Sequence, residues 1–230
     1  MAERISRKPA RERRTDMTND DTTPEIAALA AQLRTPDRDD DAVWNRARAR
    51  VAARAVAGGL ADVAVELHDS PLGRIVLGAT DAGLVRVGLP VEDEDAVLDE
   101  LAARISPRVL RAPRAVLDDA RRQMDEYFAG RRRSFDVALD WCLTTGFRRD
   151  VLRATAKIPF GRTATYREIA ARAGSPAAFR ATGSALATNP LPIVVPCHRV
   201  LPSGGGIGQY RGGTDAKQRL LSLEGATVQR

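Results

Sequence analysis

Residues 189–200 read Asn-Pro-Leu-Pro-Ile-Val-Val-Pro-Cys-His-Arg-Val, which places a cysteine beside a histidine at the end of an apolar run. The Asn189-Pro190 pair is typical of a turn, and the apolar residues after it predict a strand-like segment. Thiolate is the reactive form of cysteine, and a nearby imidazole is the usual means of forming it. The stretch therefore indicates Cys197 as a nucleophile and His198 as its base.

The two side chains are adjacent in sequence, which limits how they can meet. Neighbouring residues of an extended chain point to opposite sides, so His198 would reach Cys197 through a sharp turn or a bridging water. The far nitrogen of His198 would also need an orienting partner. Glu224 is a candidate, in a C-terminal helix that Thr214 can cap, although it could equally be an ordinary carboxylate near a helix end.

The remaining cysteine and histidine do not suggest a metal site. Cys142 fits an inert, buried small hydrophobe, and two cysteines cannot make a disulfide scaffold. His68 and His198 are the only histidines, so a zinc site of four Cys and His ligands would need all of them. Their spacing matches no finger or knuckle. We expect neither a metal nor a cofactor.

Two short helices are predicted upstream of the cysteine. The capping box at 165–168, Thr-Tyr-Arg-Glu, opens the first, and Gly174 closes it. Ser175-Pro176 opens the second, which runs to about Ala187 and contains Arg180. Two short helices joined at a glycine-containing turn outline a helix-turn-helix, although many such hairpins bind nothing.

Three regions follow from the patterning. Residues 1–60 form an extension, polar and disordered to about residue 22 and helical after it, with one helix through Leu33. Asp41 can cap a second helix, which Gly58-Gly59 would end. Residues 61–140 form a small α/β domain, and residues 141–230 a mostly helical one. The α/β domain is predicted to contain strands near 63–65, 74–77, 84–87 and 135–139, with helices near 97–105 and 116–128.

The extension shows no chemistry of its own. The second helix would place Val43, Trp44, Ala47 and Val51 on one face. The arginine-rich start could be a DNA-contacting arm, or an over-extended start with Met17 as the true initiator.

The charge balance favours an anionic partner. The net charge is +6, and nearly all of the basic residues are arginines, which suit contacts to phosphates and bases. A GC-rich genome, which encodes arginine in place of lysine, would explain the same bias. No apolar run approaches about 18 residues and no signal h-region is present, so we expect a cytoplasmic protein without membrane contact.

The chain resembles the O6-alkylguanine-DNA alkyltransferases. The resemblance rests first on Pro-Cys-His-Arg-Val at 196–200, preceded by Asn-Pro-Leu-Pro-Ile at 189–193. It covers about residues 61–228, and residues 1–60 lie outside it. Further motifs agree in order, at 69–73, 158–161, 165–166, 180–183, 208–213 and 223–225.

The resemblance implies a ribonuclease-H-like α/β domain followed by a winged-helix-like helix-turn-helix domain that carries the cysteine. It implies irreversible, single-turnover transfer of a methyl or other alkyl group to Cys197 from O6-alkylguanine, and from O4-alkylthymine. The damaged base would be flipped out of double-stranded DNA, and the protein would act as a monomer.

The resemblance also assigns a role to each residue that matches a family motif. In the reaction, Cys197 would accept the alkyl group, and His198 would take the thiol proton through a water. Glu224 would orient the imidazole, Asn189 would brace the turn, and Tyr166 would donate a proton or hydrogen bond to guanine.

In binding, Arg180 would fill the gap that the flipped nucleotide leaves in the base stack. The carbonyls of Cys197 and Val200 would accept from the exocyclic amine of guanine, and Tyr210 would form a wall of the pocket. Arg211 stands where a serine is common and is expected to narrow or charge the pocket rim.

Three rival interpretations fit less well. An alkyl-lesion-binding DNA protein without enzymatic activity would lack the nucleophile, which is present here. A cysteine hydrolase would need a deacylating water and would leave the helix-turn-helix idle. An adaptive-response regulator usually has a zinc-bound cysteine domain, which the sequence lacks.

Overall fold

The computed structural model describes residues 38–226. The helix predicted through Leu33 and the polar start therefore lie outside the described residues. The first described helix, α1, spans Arg38–Ala57, so Asp41 lies inside it and does not cap it. The face predicted to be apolar is exposed, since Val43, Trp44 and Val51 are 53%, 63% and 68% accessible. Ala52 on this helix is buried instead.

A four-stranded sheet forms the first half of the remaining chain, with strand order β3-β2-β1-β4. The first three strands pair antiparallel as a meander, and β4 runs parallel to β1. The strands are β1 Val63–Ser70, β2 Gly73–Thr80, β3 Gly83–Gly88 and β4 Val109–Arg111, and the helices are α2 Glu94–Arg104 and α3 Ala115–Phe128.

Helix α3 connects this sheet to the rest of the molecule. Leu117, Ala120, Met124 and Tyr127 recur at helical spacing and are fully buried, as an amphipathic helix requires. They belong to one apolar cluster that also contains core residues of the second half of the chain, such as Leu152 and Cys197. The sheet and the helical part therefore share a core.

The strand predicted over 135–139 is wrong. Only Leu139 forms an isolated bridge, to Leu84 on β3, and the backbone N–H of Asp136 donates to the side chain of Gln123 (2.9 Å) instead of to a strand. Gly83 permits the close approach that remains, because a Cβ there would lie 2.5 Å from the carbonyl oxygen of Ala138. Strand β4 was not predicted, because three residues carry too little pattern to detect.

The second half is mostly helical, as predicted. Thr165 and Glu168 form the expected capping box, with reciprocal bonds of 3.2 and 2.6 Å. The following helix begins at Phe179 and not at Ser175, and the last helix begins at Gly213, so Thr214 does not cap it. The elements are α4 Gly146–Ala156, β5 Ala164–Thr165, α5 Tyr166–Arg172, α6 Phe179–Ala187, a 3-10 helix Cys197–Arg199, β6 Val200–Leu201 and α7 Gly213–Leu223.

Strands β5 and β6 pair parallel and bring the start of α5 beside the segment that follows the cysteine. None of the helices in the described part of the chain has the length and hydropathy to cross a bilayer.

Candidate active site

The apolar segment before the cysteine forms a compact turn and not the strand-like segment that the sequence predicts. Prolines at 190, 192 and 196 have no N–H for a strand ladder, so the backbone finds other partners. Asn189, which is fully buried, supplies them: its Oδ1 accepts from the N–H of Leu191 (3.0 Å), and its Nδ2 donates to the carbonyl of Val195 (2.9 Å). Ile193 has a φ of 74°, a conformation that costs a β-branched residue about 1–3 kcal/mol.

This turn presents the thiol of Cys197 at the start of the 3-10 helix. Sγ accepts a hydrogen bond from Nδ2 of Asn189 (3.2 Å), and the residue is only 6% exposed. Burial raises the pKa of the Cys197 thiol, although the Asn189 bond and the charge of Lys217 oppose the rise. The resting group is therefore a thiol and not a thiolate.

His198, the next residue, is a buried imidazole that is bonded on one ring nitrogen. Its Nε2 lies 2.9 Å from Oε1 of Glu224, and no side chain among the described residues bonds its buried Nδ1. Burial lowers the pKa of His198 despite the neighbouring carboxylate, so the ring is neutral near neutral pH. With the proton on Nε2 facing Glu224, Nδ1 has a free lone pair that can accept a proton from a water. The described residues show no direct hydrogen bond between His198 and Cys197.

The carboxylate of Glu224 holds the imidazole of His198 through its Nε2. Besides His198, its carboxylate accepts from the hydroxyl of Tyr127 (2.6 Å) and from Nε and a terminal nitrogen of Arg199 (both 2.8 Å). The N–H of Gly161 also donates to it (3.3 Å). Burial raises the pKa of this carboxyl, but the bonds from His198, Arg199 and Tyr127 outweigh burial and lower it to about 2. The group is a fixed anion.

The cysteine opens into a pocket of about 480 Å³ between α5, α6 and the 209–211 loop. Tyr166 stands at the start of α5, and burial raises the pKa of its phenol, which therefore stays protonated as a donor. Tyr210 stacks edge-on against His198, with ring centroids 6.2 Å apart. The lining residues are Tyr166, Arg180, Gly183, Ser184, Leu186, Ala187, Cys197, Gln209, Tyr210 and Arg211.

Two family models match the chain between residues 63 and 226. Residues 63–141 match the ribonuclease-like domain of 6-O-methylguanine DNA methyltransferase, and residues 146–226 match its DNA-binding domain. A methylated-DNA–protein-cysteine methyltransferase of Methanosarcina barkeri is 36% identical over 69% of this chain and 95% of its own. One from Mycolicibacterium paratuberculosis is 40% identical over 68% and 88%.

The chain belongs to the 6-O-methylguanine DNA methyltransferase family. Its activity is that of a methylated-DNA–protein-cysteine methyltransferase, the direct-reversal repair of O6-methylguanine in DNA. The crystal structure of Mycobacterium tuberculosis O6-methylguanine methyltransferase has the same architecture, with a TM-score of 0.60 and 34% identity over 71% of this chain and 93% of its own. Both the predicted α/β domain and the predicted helical DNA-binding domain are confirmed.

The candidate site contains three residues that the sequence motifs did not single out. Arg199 is buried and pairs with both oxygens of Glu224, while its third nitrogen donates to the carbonyl of Ile158 (2.6 Å). Tyr127 reaches Glu224 from α3. The adjacency of Arg199 to the Cys-His pair was a usable signal, but Tyr127 lies 97 residues from its partner and no local pattern links them.

Lys217 is the third of these residues. It is fully buried on α7, and its Nζ donates to the carbonyls of Val200 (2.8 Å) and Gln209 (3.2 Å). Burial lowers the pKa of this ammonium to about 8, so it is still mostly charged near neutral pH. The carbonyl of Val200 therefore already accepts one bond and has one lone pair left for a substrate.

Of the remaining predicted residues, one needs a correction. Arg211 lines the pocket, and two of its nitrogens donate to Glu92 of the α/β domain (3.1 and 2.6 Å). Cys142 is exposed and not buried; partial desolvation and the carboxylate of Asp140 raise its pKa to about 11, so it stays a thiol. Within residues 38–226 no three His, Cys, Asp or Glu side chains are grouped as a metal site.

Proposed function

We propose that the chain transfers one methyl or larger alkyl group irreversibly from O6 of guanine, and from O4 of thymine, to Sγ of Cys197. The observation that carries this proposal is the position of Cys197, whose thiol faces a 480 Å³ pocket and has a buried His198–Glu224 pair behind it. An aromatic base fits a pocket walled by Tyr166 and Tyr210. No cofactor is needed, because the protein itself is the acceptor.

The proposed transfer needs only the substrate, a water and the side chains of the site. Sγ forms a bond to the alkyl carbon as the bond from that carbon to O6 breaks, and the bonding electrons stay on the base. The thiol proton passes through a water to Nδ1 of His198, while Glu224 stabilises the imidazolium that forms. The phenol of Tyr166 donates to the guanine as negative charge develops on it. The thioether product has no good leaving group, so the protein acts once.

Recognition of the base uses main-chain atoms. The carbonyls of Cys197 and Val200 would accept from the exocyclic amine of guanine, using lone pairs left free by their internal bonds to the N–H of Val200 and to Lys217. The N–H of Arg211 would contact the guanine oxygen, a contact that does not depend on the side chain. Asn189 would keep the turn, and with it the thiol, in place.

Binding of double-stranded DNA is assigned to the helix-turn-helix formed by α5 and α6. This surface carries exposed arginines, which suit phosphate contacts, and the similar M. tuberculosis OGT has been crystallised in complex with DNA (33% identity, TM-score 0.59, over 71% of this chain and 92% of its own). We assign residues 141–230 to this catalytic DNA-binding domain, residues 61–140 to the ribonuclease-like domain and residues 1–60 to the extension. The exposed arginines of these two helices are Arg167, Arg172 and Arg180.

Base flipping requires a side chain to fill the gap in the stack. Arg180 is exposed at the start of α6 on the edge of the pocket, and its planar guanidinium can stack between bases. We expect Arg180→Ala to slow repair of duplex DNA at least about tenfold, since extrusion costs a few kcal/mol. Transfer from free O6-benzylguanine, which needs no flipping, should change little.

The effect of Arg180→Ala is measured as two rates, the rate of duplex repair and the rate of labelling by free O6-benzylguanine. Arg180→Lys should rescue duplex repair only partly, because an ammonium cannot stack as a plane. Equal slowing of both substrates by Arg180→Ala would contradict the flipping role.

Stoichiometry tests the single-turnover proposal. With duplex in excess, the amount of O6-methylguanine removed should equal the amount of active protein and then stop. Repeated turnover would contradict irreversible transfer and would favour a hydrolase. Binding of the lesion without loss of methyl would favour a lesion-binding protein.

The cellular setting is also proposed. Both cysteines are free thiols, and the acceptor must stay reduced, which suits the cytoplasm. All the described site residues come from a single chain, so a monomer suffices.

A further inference from the structure

The α/β domain contacts the methyltransferase site directly, at the end of β3 and in the loop after it. The N–H of Val87 donates to the carbonyl of Pro190 (2.8 Å), within the turn that presents the thiol. Leu89 packs against the loop after Tyr210, where a Cβ on Gly212 would lie 3.0 Å from its Cδ1. Glu92 binds Arg211. One short segment thus contacts both the turn that presents the thiol and the loop that carries Arg211.

Glu92 is held firmly in this position. Its Oε1 accepts from the N–H of Leu89 (2.8 Å), and its Oε2 accepts from the buried Arg86 (2.5 Å). Arg86 is 1% exposed and also bonds Glu100 (3.1 Å). Burial raises the pKa of Glu92, but its bonds to Arg86, Arg211 and Leu89 outweigh burial and lower the pKa. The carboxylate is therefore charged and immobile, unlike that of an exposed surface pair.

Arg211 is the partner on the pocket side of this pair. It belongs to the pocket lining, and Nε and a terminal nitrogen both donate to the same oxygen of Glu92. Its side chain is 24% exposed and that of Glu92 is 14% exposed, so the pair is partly shielded from solvent. Without the carboxylate, a long cationic side chain beside the pocket would be free to turn into its mouth.

We propose that Glu92 is a positioning residue that holds Arg211 away from the thiol and so sets the size of alkyl group that the pocket accepts. The proposal rests on the proposed function of the pocket. Glu92 keeps the guanidinium at the rim, which leaves room for groups larger than methyl. The α/β domain thereby takes part in substrate selection through a contact that bridges 119 residues of sequence.

The test compares labelling by O6-benzylguanine with repair of an O6-methylguanine duplex. Glu92→Gln keeps the size of the side chain but removes its charge, and it should lower the benzyl rate relative to the methyl rate about tenfold, the size of a modest steric mismatch. Glu100→Gln is the matched control, because Glu100 shares Arg86 but does not bond Arg211. The control should leave the ratio unchanged.

A double variant separates positioning from a general structural role. Glu92→Gln combined with Arg211→Ala should show the same benzyl-to-methyl ratio as Arg211→Ala alone, because no arginine is left to release. An unchanged ratio in Glu92→Gln, the same change in Glu100→Gln, or additive losses in the double variant would overturn the inference alone. A wild-type chain that reacts with neither substrate would overturn the proposed function as well.

Discussion

Cys197→Ser should abolish alkyl transfer while the protein continues to bind duplex DNA. A serine hydroxyl is far less ionised than a thiol, and burial already raises the pKa of the Cys197 thiol. Removing the nucleophile costs roughly 10⁶-fold in enzymes where a base and an orienting carboxylate support it. The substitution changes one buried atom and removes no phosphate contact, so the affinity for DNA should stay close to that of the wild type.

The measurement pairs a single-turnover repair assay with a binding titration on the same duplex. Cys142→Ser is the matched control, since it replaces the exposed thiol outside the pocket and should repair at the wild-type rate. Residual repair by Cys197→Ser within a factor of about ten of wild type would be incompatible with Cys197 as the acceptor.

Glu224→Ala should be among the most destabilising single changes in this chain. It leaves the guanidinium of Arg199, the hydroxyl of Tyr127 and the ring of His198 buried without their common partner. Breaking a buried ion pair from one side costs about 3–5 kcal/mol. Glu168→Ala, on the exposed capping box of α5, should cost about 1 kcal/mol and serves as the control. Urea unfolding at neutral pH measures both.

The lowered pKa of Glu224 predicts how the stability of the folded protein varies with pH. Its pKa is lowered from 4.5 to about 2 in the folded protein. The unfolded chain therefore binds the proton first, and the stabilisation from Glu224, complete above pH 4.5, is lost as the pH falls toward 2. Glu224→Gln removes this titration and should flatten the decline in that window. An equal decline in the variant would show that other groups cause it.

The sequence predicted the site better than the connections that hold it. Cys197, His198, Glu224, Tyr166 and Arg180 lie in local motifs, each on a turn or helix end, and the structure brings them to one pocket or to the residues behind it. Their roles in the reaction stay predictions. The strand-like character of the segment before Cys197 was wrong, because its prolines remove the N–H groups that a strand needs.

Long-range contacts could not be predicted from patterns. The bond from Tyr127 to Glu224 and the pair between Glu92 and Arg211 join residues 97 and 119 positions apart. Periodicity shows which face of α3 is buried, but not which buried polar atom it meets. The same limit applies to Arg211, whose place at the pocket rim was predicted but whose partner Glu92 in the other domain was not.

The most direct test of this account is a peptide map of the protein after incubation with a duplex that contains O6-methylguanine. Mass spectrometry should find one methyl group per molecule, on the peptide that contains Cys197, with Cys142 unmodified. Its location follows from the pocket, the neutral His198 and the fixed anion of Glu224 behind it. A methyl group on Cys142, or repair of the duplex without any gain of mass on the protein, would contradict it.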